Sequence, residues 1–245
     1  MSKKNRGTDR TARAAAAMAE QQRQERRRRN IMVFGVVGAI LVIVVVGFFI
    51  SRSMDNTTNV NAPSAGSELG VTIGPDDAPN KVVVYEDFLC PYCGEFEAAS
   101  RDDLAQLASD GKVQVEYRPF DLLGGGDESS YSVRSAGAFS IVLDKSGSEV
   151  AKKFHDLLYE NQPDESGPFP ESSKLADLAV QAGADESAVR AAIEGDQGNA
   201  WVVKATKAAT DAGVTGTPTV LLNGKVFTDY SNMQDLASNL VAKVS

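Results

Sequence analysis

Only two cysteines occur in the 245 residues, and they stand as Cys90-Pro91-Tyr92-Cys93. A pair at this spacing, with no other thiol in the chain, points to thiol–disulfide chemistry rather than to stapling. Pro91 suits the first position of a helix, where its missing N–H costs nothing, and sulfurs three residues apart then lie at the same end of that helix. Backbone N–H groups there stabilise an anion. Cys90, exposed at the helix start, should therefore ionise below the roughly 8.5 of a free thiol and act as the nucleophile. Cys93, tucked behind it, is the expected resolving thiol. Two other readings compete. A zinc site needs about four ligands, and the chain offers two Cys and one distant His155 unless two chains share a site, so no metal is expected. A purely structural disulfide across so short a loop would add little stability.

The elements around the pair are those that would hold it. Lys81–Phe88 contains a β-branched run of the kind found in a buried central strand and leads straight into Cys90. From Pro91, the pattern Tyr92, Phe96, Leu104, Leu107 predicts a helix with one apolar face that stops near Asp110-Gly111. Val113, Val115 and Tyr117 alternate with polar residues, which predicts a second strand ending at Arg118-Pro119. The thiols then lie at the carboxyl end of the first strand of a β-α-β unit, where open α/β sheets place their sites. Between about Asp127 and Asp211 the periodicity is helical, over Tyr131–Asp144, Glu149–Asn161, Ser172–Ala182, Glu186–Glu194 and Asn199–Ala212. Thr219–Leu222, Asn223-Gly224 and Lys225–Phe227 predict a hairpin with a two-residue turn. A last amphipathic helix follows from about Asn232, with Leu236, Leu240 and Val241 on one face.

The amino-terminal part has a different composition. Residues 1–30 hold ten Lys and Arg, including Arg26–Arg29, against Asp9, Glu20 and Glu25, a net +7. Ile31–Ile50 is twenty uncharged residues, long enough to span a bilayer as one transmembrane helix. The positive-inside rule leaves the tail in the cytoplasm and the rest outside. The apolar stretch is longer than that of a signal peptide and lacks a small-x-small site after it, so an uncleaved, single-pass anchor is expected. Residues 51–69 have linker composition, and residues 70–245 suffice for one domain. Residues 31–245 carry −15, which argues against nucleic-acid binding. An oxidising compartment suits a thiol pair that works by forming disulfides.

Strand, Cys-x-x-Cys helix, strand, helical insertion, hairpin and terminal helix is the order of an α/β thioredoxin fold carrying a helical insertion. On this order and three segments, the chain resembles the DsbA-like thiol–disulfide oxidoreductases, particularly membrane-anchored actinobacterial envelope members. The segments are Glu86-Asp87-Phe88-Leu89-Cys90-Pro91-Tyr92-Cys93, Phe154–Gln162 and Gly213-Val214-Thr215-Gly216-Thr217-Pro218-Thr219. The resemblance covers about residues 70–245. It implies a cis Pro218 packed beside the thiols and Thr217 offering backbone hydrogen bonds to a substrate peptide. It implies no organic cofactor. The partners it implies are thiol-bearing secreted or surface proteins and a membrane reoxidase of the DsbB or vitamin K epoxide reductase-like type.

One departure matters. Thioredoxins and many relatives place a buried acid six residues before the first cysteine, to pass a proton to or from the resolving thiol; here that position is Val84. Glu86 shares the face of Val84 on a strand and is a candidate proton shuttle, the alternative being a surface acid. His155 is expected to pack or cap, Trp201 to sit in the core or line a cleft, and Tyr92 to tune the sulfurs or touch substrate. Gly124-Gly125-Gly126 lacks the context of a phosphate loop and is expected to be a hinge into the insert.

The expected activity is oxidation of client thiols by a Cys90–Cys93 disulfide. The alternatives are a reductase or isomerase of the same fold, or a non-catalytic adaptor with locked cysteines.

Overall fold

The computed structural model describes Val60 and residues 68–245. The expected basic tail, the membrane span and most of the linker lie outside the described residues. Among the described residues, no helix is long and apolar enough to cross a membrane.

Five strands form one mixed sheet. They are β1 (Val71–Ile73), β2 (Asn80–Glu86), β3 (Val113–Pro119), β4 (Thr219–Leu222) and β5 (Lys225–Val226), in the order β1-β3-β2-β4-β5. β2 runs parallel to β3 and antiparallel to β4. Val82, Val83 and Val84 are all buried, as expected of a strand covered on both faces. The predicted hairpin is present. Asn223 and Gly224 both take positive φ, 51° and 79°, the turn that matches the twist of the flanking strands. β1 was not predicted; three residues carry too short an alternation to register, and its pairing with β3 defines it.

α1 (Pro91–Ser109) connects β2 to β3, with Cys90 as its N-cap residue and Pro91 at its start. It buries Cys93, Phe96, Glu97, Ser100, Leu104 and Leu107, one stripe at helical spacing. Tyr92, assigned to that stripe from the sequence, is instead 59% exposed; Cys93 takes the inward place. Four helices make the insertion: α2 (Tyr131–Glu160), α3 (Ser172–Ala182), α4 (Glu186–Glu194) and α5 (Asn199–Asp211). α2 is two helical segments joined at Gly147, whose φ of 79° and ψ of 176° interrupt the helix. This matches the two runs expected there. Gly198 abuts α2 so closely that a Cβ would lie 2.1 Å from the Gly137 carbonyl oxygen, so only glycine fits. α6 (Met233–Val244) begins at Asn232, whose side chain accepts from the Asp235 amide.

The sheet separates two apolar clusters. Val82, Val84, Val115 and Tyr117 pack with α1, α2, α3 and α6. Val83, Tyr85 and Leu221 pack with Phe120, Ala205 and Ala209, and Val60 is buried among them. On that second face, the polar residues of β3 are buried too. Arg118 binds Glu116 at 2.8 and 2.9 Å and the Tyr85 hydroxyl at 2.8 Å, which compensates the buried charge. Trp201 packs against both clusters, and its indole N–H donates to the Glu68 carbonyl.

Candidate active site

β2 delivers the chain to the site, and Asp87 fixes its exit. One carboxylate oxygen of Asp87 accepts from the Leu89 amide and the Ser132 hydroxyl, the other from the amides of Leu122 and Leu123, all at 2.8 to 2.9 Å. One side chain thus ties the end of β2, the loop after β3 and the start of α2. The Asp87 carboxyl is raised from its ordinary value by burial, against these hydrogen bonds. Asp121 holds the following glycine loop by accepting from the amides of Gly124 and Gly126.

Both cysteines are free thiols. Cys90 is 5% exposed and Cys93 is fully buried. The expectation of an exposed Cys90 is therefore corrected: the segment before β4 lies across it, and the Cys90 thiol donates to the Thr217 carbonyl oxygen at 3.4 Å. The Thr217–Pro218 peptide is cis, as the resemblance implied. Gln162 closes the other side, donating through Nε2 to the carbonyl oxygens of Phe88 and Cys90, each at 2.9 Å.

The two thiols differ in acidity. A hydrogen bond from Cys93 lowers Cys90 to about 6, against the cost of burial and with help from Thr217 and from the amides of Cys93 and Tyr92. These last belong to the start of α1 and stabilise an anion there. Burial pushes Cys93 well up, reinforced by the neighbouring Cys90 and Glu86. At neutral pH the outer sulfur is therefore a thiolate, which gives up its bond to the Thr217 carbonyl and accepts from the inner thiol; the Cys90–Thr217 bond belongs to the protonated form.

Behind Cys93, between the sheet and the helices, lies a buried ionic cluster. Glu86 is fully buried, and its Oε1 receives a hydrogen bond from His155 Nε2 at 2.6 Å. His155 Nδ1 donates to Asp156 at 3.1 Å, and Asp156 also pairs with Lys152. The rings of Phe88, Tyr117, Phe139 and Tyr159 surround the imidazole, with centroids 4.7 to 6.4 Å away. Burial opposes a charge on His155, but Glu86 and Asp156 hold its pKa up at about 9. Glu97, from α1, completes the cluster. Burial, reinforced by Glu86 and opposed by His155, raises its carboxyl to about 7. Ligand atoms of Glu86, Glu97 and His155 lie within 4.8 Å of one another, the spacing of a cation site. At neutral pH, however, both nitrogens of His155 donate to carboxylates, which leaves no lone pair for a metal.

Of the residues singled out in the sequence, Cys90, Pro91, Cys93, Thr217 and Pro218 meet at the start of α1, and Glu86 lies beneath them. Tyr92 projects from the motif into solvent. His155 does pack in the core, but as half of an ion pair. Trp201 belongs to the two apolar clusters rather than to the thiol site. Glu97, Asp87 and Gln162 were not singled out. Glu97 stands four residues after Cys93, a spacing that puts both on one face of a helix, so that signal was available.

A thioredoxin-type sheet with an acidic cysteine at a helix start, a buried partner and an adjacent cis-proline defines the thiol–disulfide oxidoreductases. The chain belongs to the thioredoxin family: the model described as Thioredoxin matches residues 67–241. It is structurally close to the reduced disulfide bond oxidoreductase DsbG of Mycobacterium tuberculosis, at a TM-score of 0.61 and 30% identity, covering 78% of this chain and 90% of that one. Oxidised DsbA from the same organism gives a TM-score of 0.59 and 29% identity over 71% of this chain and 92% of that one. Among curated proteins, the serine/threonine-protein kinase PknE of M. tuberculosis is 28% identical over 175 residues. That match covers 69% of this chain and 31% of the kinase, so the chain spans about a third of that relative's length.

Proposed function

We propose that this protein oxidises thiols of secreted or surface proteins, held at the outer face of a membrane by Ile31–Ile50. The observation that carries this reading is the asymmetry of the thiol pair. Cys90 is acidic and lies against the Thr217 carbonyl, while Cys93 is buried and acid-weak. A client thiolate attacks Cys90 of the disulfide form, the S–S bond breaks, and its electron pair leaves on Cys93. A second client thiolate then attacks the client sulfur of the mixed disulfide and expels Cys90 as a thiolate. The client loses two electrons and the enzyme gains them. A low Cys90 pKa favours this direction, because it stabilises the reduced form and makes Cys90 a good leaving group.

Thr217 and Pro218 are the residues proposed to offer backbone to a client chain in the manner of strand addition, a reading supported by the nearness of the Thr217 carbonyl to Cys90. A membrane reoxidase would return the enzyme to its disulfide form. The basic tail and the apolar span support a cytoplasmic amino terminus with the catalytic domain outside.

The test uses the full chain in detergent, in its disulfide form, with a reduced, unfolded client containing cysteines. Client disulfides should appear at a rate dependent on the enzyme, and Cys90→Ser should abolish them. Cys93→Ala should accumulate client-linked mixed disulfides. Failure of the wild-type chain to oxidise the client, or retention of oxidation by Cys90→Ser, would overturn the reading.

A further inference from the structure

Thiol exchange at a buried Cys93 requires a proton to come and go where water does not reach. When Cys93 attacks a mixed disulfide on Cys90 it must lose its proton, and when it is expelled as a thiolate it must regain one. On the strand, position 84, where many relatives carry an acid for this task, is a buried valine. Glu86, two residues on, leaves Oε2 without a partner and acts electrostatically on Cys93, but its Oε1 is paired with the His155 imidazolium, whereas Glu97 has neither oxygen engaged.

We propose that Glu97 is the proton carrier for Cys93, and that the Glu86–His155 pair sets the charge around it. This rests on the thiol-exchange reading above and names the group that serves its inner sulfur. Glu97 stands one helical turn beyond Cys93 on the same face of α1, where side chains four residues apart are neighbours. Cys93 is fully buried and Glu97 is 1% exposed. Neither carboxyl oxygen of Glu97 has a hydrogen-bond partner, so both are free to exchange a proton. That is an unusual state for a buried carboxyl, since such groups are ordinarily satisfied.

The groups facing Glu97 explain why it can carry a proton near neutrality. β2 supplies Glu86, β3 supplies Tyr117, and α2 supplies Lys152, His155, Asp156 and Tyr159, while Cys93 lies one helical turn back on α1 itself. Glu86 with His155 and Asp156 with Lys152 form two ion pairs of no net charge. A protonated Glu97 leaves this pocket neutral, and an ionised one adds a single uncompensated charge. Its carboxyl accordingly lies at about 7, where both forms are populated. Burial raises the hydroxyls of Tyr117 and Tyr159 too far to exchange at neutral pH. His155 at about 9 holds its protons on carboxylates.

In the closing step, the Cys93 thiol passes its proton to the Glu97 carboxylate as Cys93 attacks the Cys90 sulfur, and the group bound to Cys90 leaves as a thiolate. In the opening step, the client thiolate attacks Cys90, the electron pair of the S–S bond goes to Cys93, and the Glu97 carboxylic acid protonates that sulfur.

The test is the rate of ring closure in the full chain in detergent. Reduced protein is mixed with saturating oxidised glutathione, and the conversion of the Cys90–glutathione adduct to the Cys90–Cys93 disulfide is followed by acid quench from pH 5 to 9. Wild type should show an inflection near pH 7, matching the carboxyl. Glu97→Gln should lose that inflection and close about 10- to 100-fold more slowly at pH 7, within the range of general-base effects. Glu97→Asp should restore the inflection at a reduced rate. Adduct formation at Cys90 should remain near wild type in both variants, and melting should confirm that they fold. Closure by Glu97→Gln within twofold of wild type, with the inflection kept, would overturn the proposal while leaving thiol exchange intact. Failure of Cys90 to form the adduct in wild type would overturn both. Because glutathione is the only partner, the readout holds whether clients are oxidised or reduced.

Discussion

The side-chain amide of Gln162 donates to the Cys90 carbonyl oxygen at 2.9 Å, joining the end of α2 to the start of α1 across 72 residues of sequence. The same amide reaches the Phe88 carbonyl oxygen, so one glutamine braces both sides of the turn that presents the nucleophile. Gln162→Ala should cost about 1–3 kcal/mol in denaturant unfolding, the usual range for leaving such acceptors unpaired. Gly94→Ala should act on the same brace from the other side, since its Cβ would fall 2.3 Å from Gln162 Oε1. Combining the two changes should cost less than their sum, because each disturbs the same contact. Strict additivity would show that Gly94 and Gln162 act independently.

The acidity of Cys90 should be visible directly. Alkylation of Cys90 by iodoacetamide should rise with a midpoint near pH 6, and in Cys93→Ala the midpoint should move upward because the largest stabilising hydrogen bond is gone. The same shift has a thermodynamic side. A thiol whose pKa falls from 9 to about 6 on folding stabilises the reduced protein fully above pH 9 and progressively less as pH falls towards 6. The stability gap between reduced wild type and Cys90→Ser should therefore be wider at pH 8 than at pH 5.5. A gap independent of pH would contradict the assignment.

Burial of the ionic cluster predicts the opposite trend for the disulfide form, in which the thiols no longer titrate. His155 is raised from 6.5 to about 9, so its contribution is complete below pH 6.5 and fades as pH passes 9. Glu97, raised from 4.5 to about 7, likewise favours the folded state at low pH and loses that contribution as pH passes 7. Oxidised protein should therefore lose stability between pH 5 and pH 9 in urea titrations. Glu97→Gln should flatten the lower half of that decline, and an unchanged slope would place the titration elsewhere.

Asp87 should be among the costliest single changes in the domain. Asp87→Ala leaves four donors without their acceptor, which should cost about 3 kcal/mol or more. Asp87→Asn keeps one acceptor oxygen but turns its amide donor towards either the Leu122 and Leu123 amides or the Leu89 amide and Ser132 hydroxyl. It should fall between wild type and alanine in urea unfolding. A neutral Asp87→Ala would mean that the three segments are held by other contacts.

Local signals carried much of this fold. The valine run of β2 led into the cysteines, Pro91 marked the start of α1, Asn223-Gly224 marked the hairpin, and Asn232 capped the last helix; in each case the cause lies within a few residues. The properties that escaped prediction depend on distant parts of the chain. Cys90 is covered by Thr217, 127 residues away, and His155 owes its charge to Glu86, 69 residues away. The polar residues of β3 are buried although they alternate with apolar ones, because alternation records polarity, not what packs on it. Glu97 carries the same ambiguity: a glutamate in an apolar stripe suits the stripe's edge, and the stacked elements put it at the centre.

The sheet ends at β1 on one side and at β5 on the other, strands of three and two residues. Exposed edges are where unfolded chains add themselves as extra strands, and length is what makes such pairing persist. A protein whose proposed clients are extended polypeptides meets that hazard at every turnover. With borders this short, a client gains few backbone hydrogen bonds at the rims, so lingering attachment there competes weakly with the covalent encounter at Cys90 and with release afterwards.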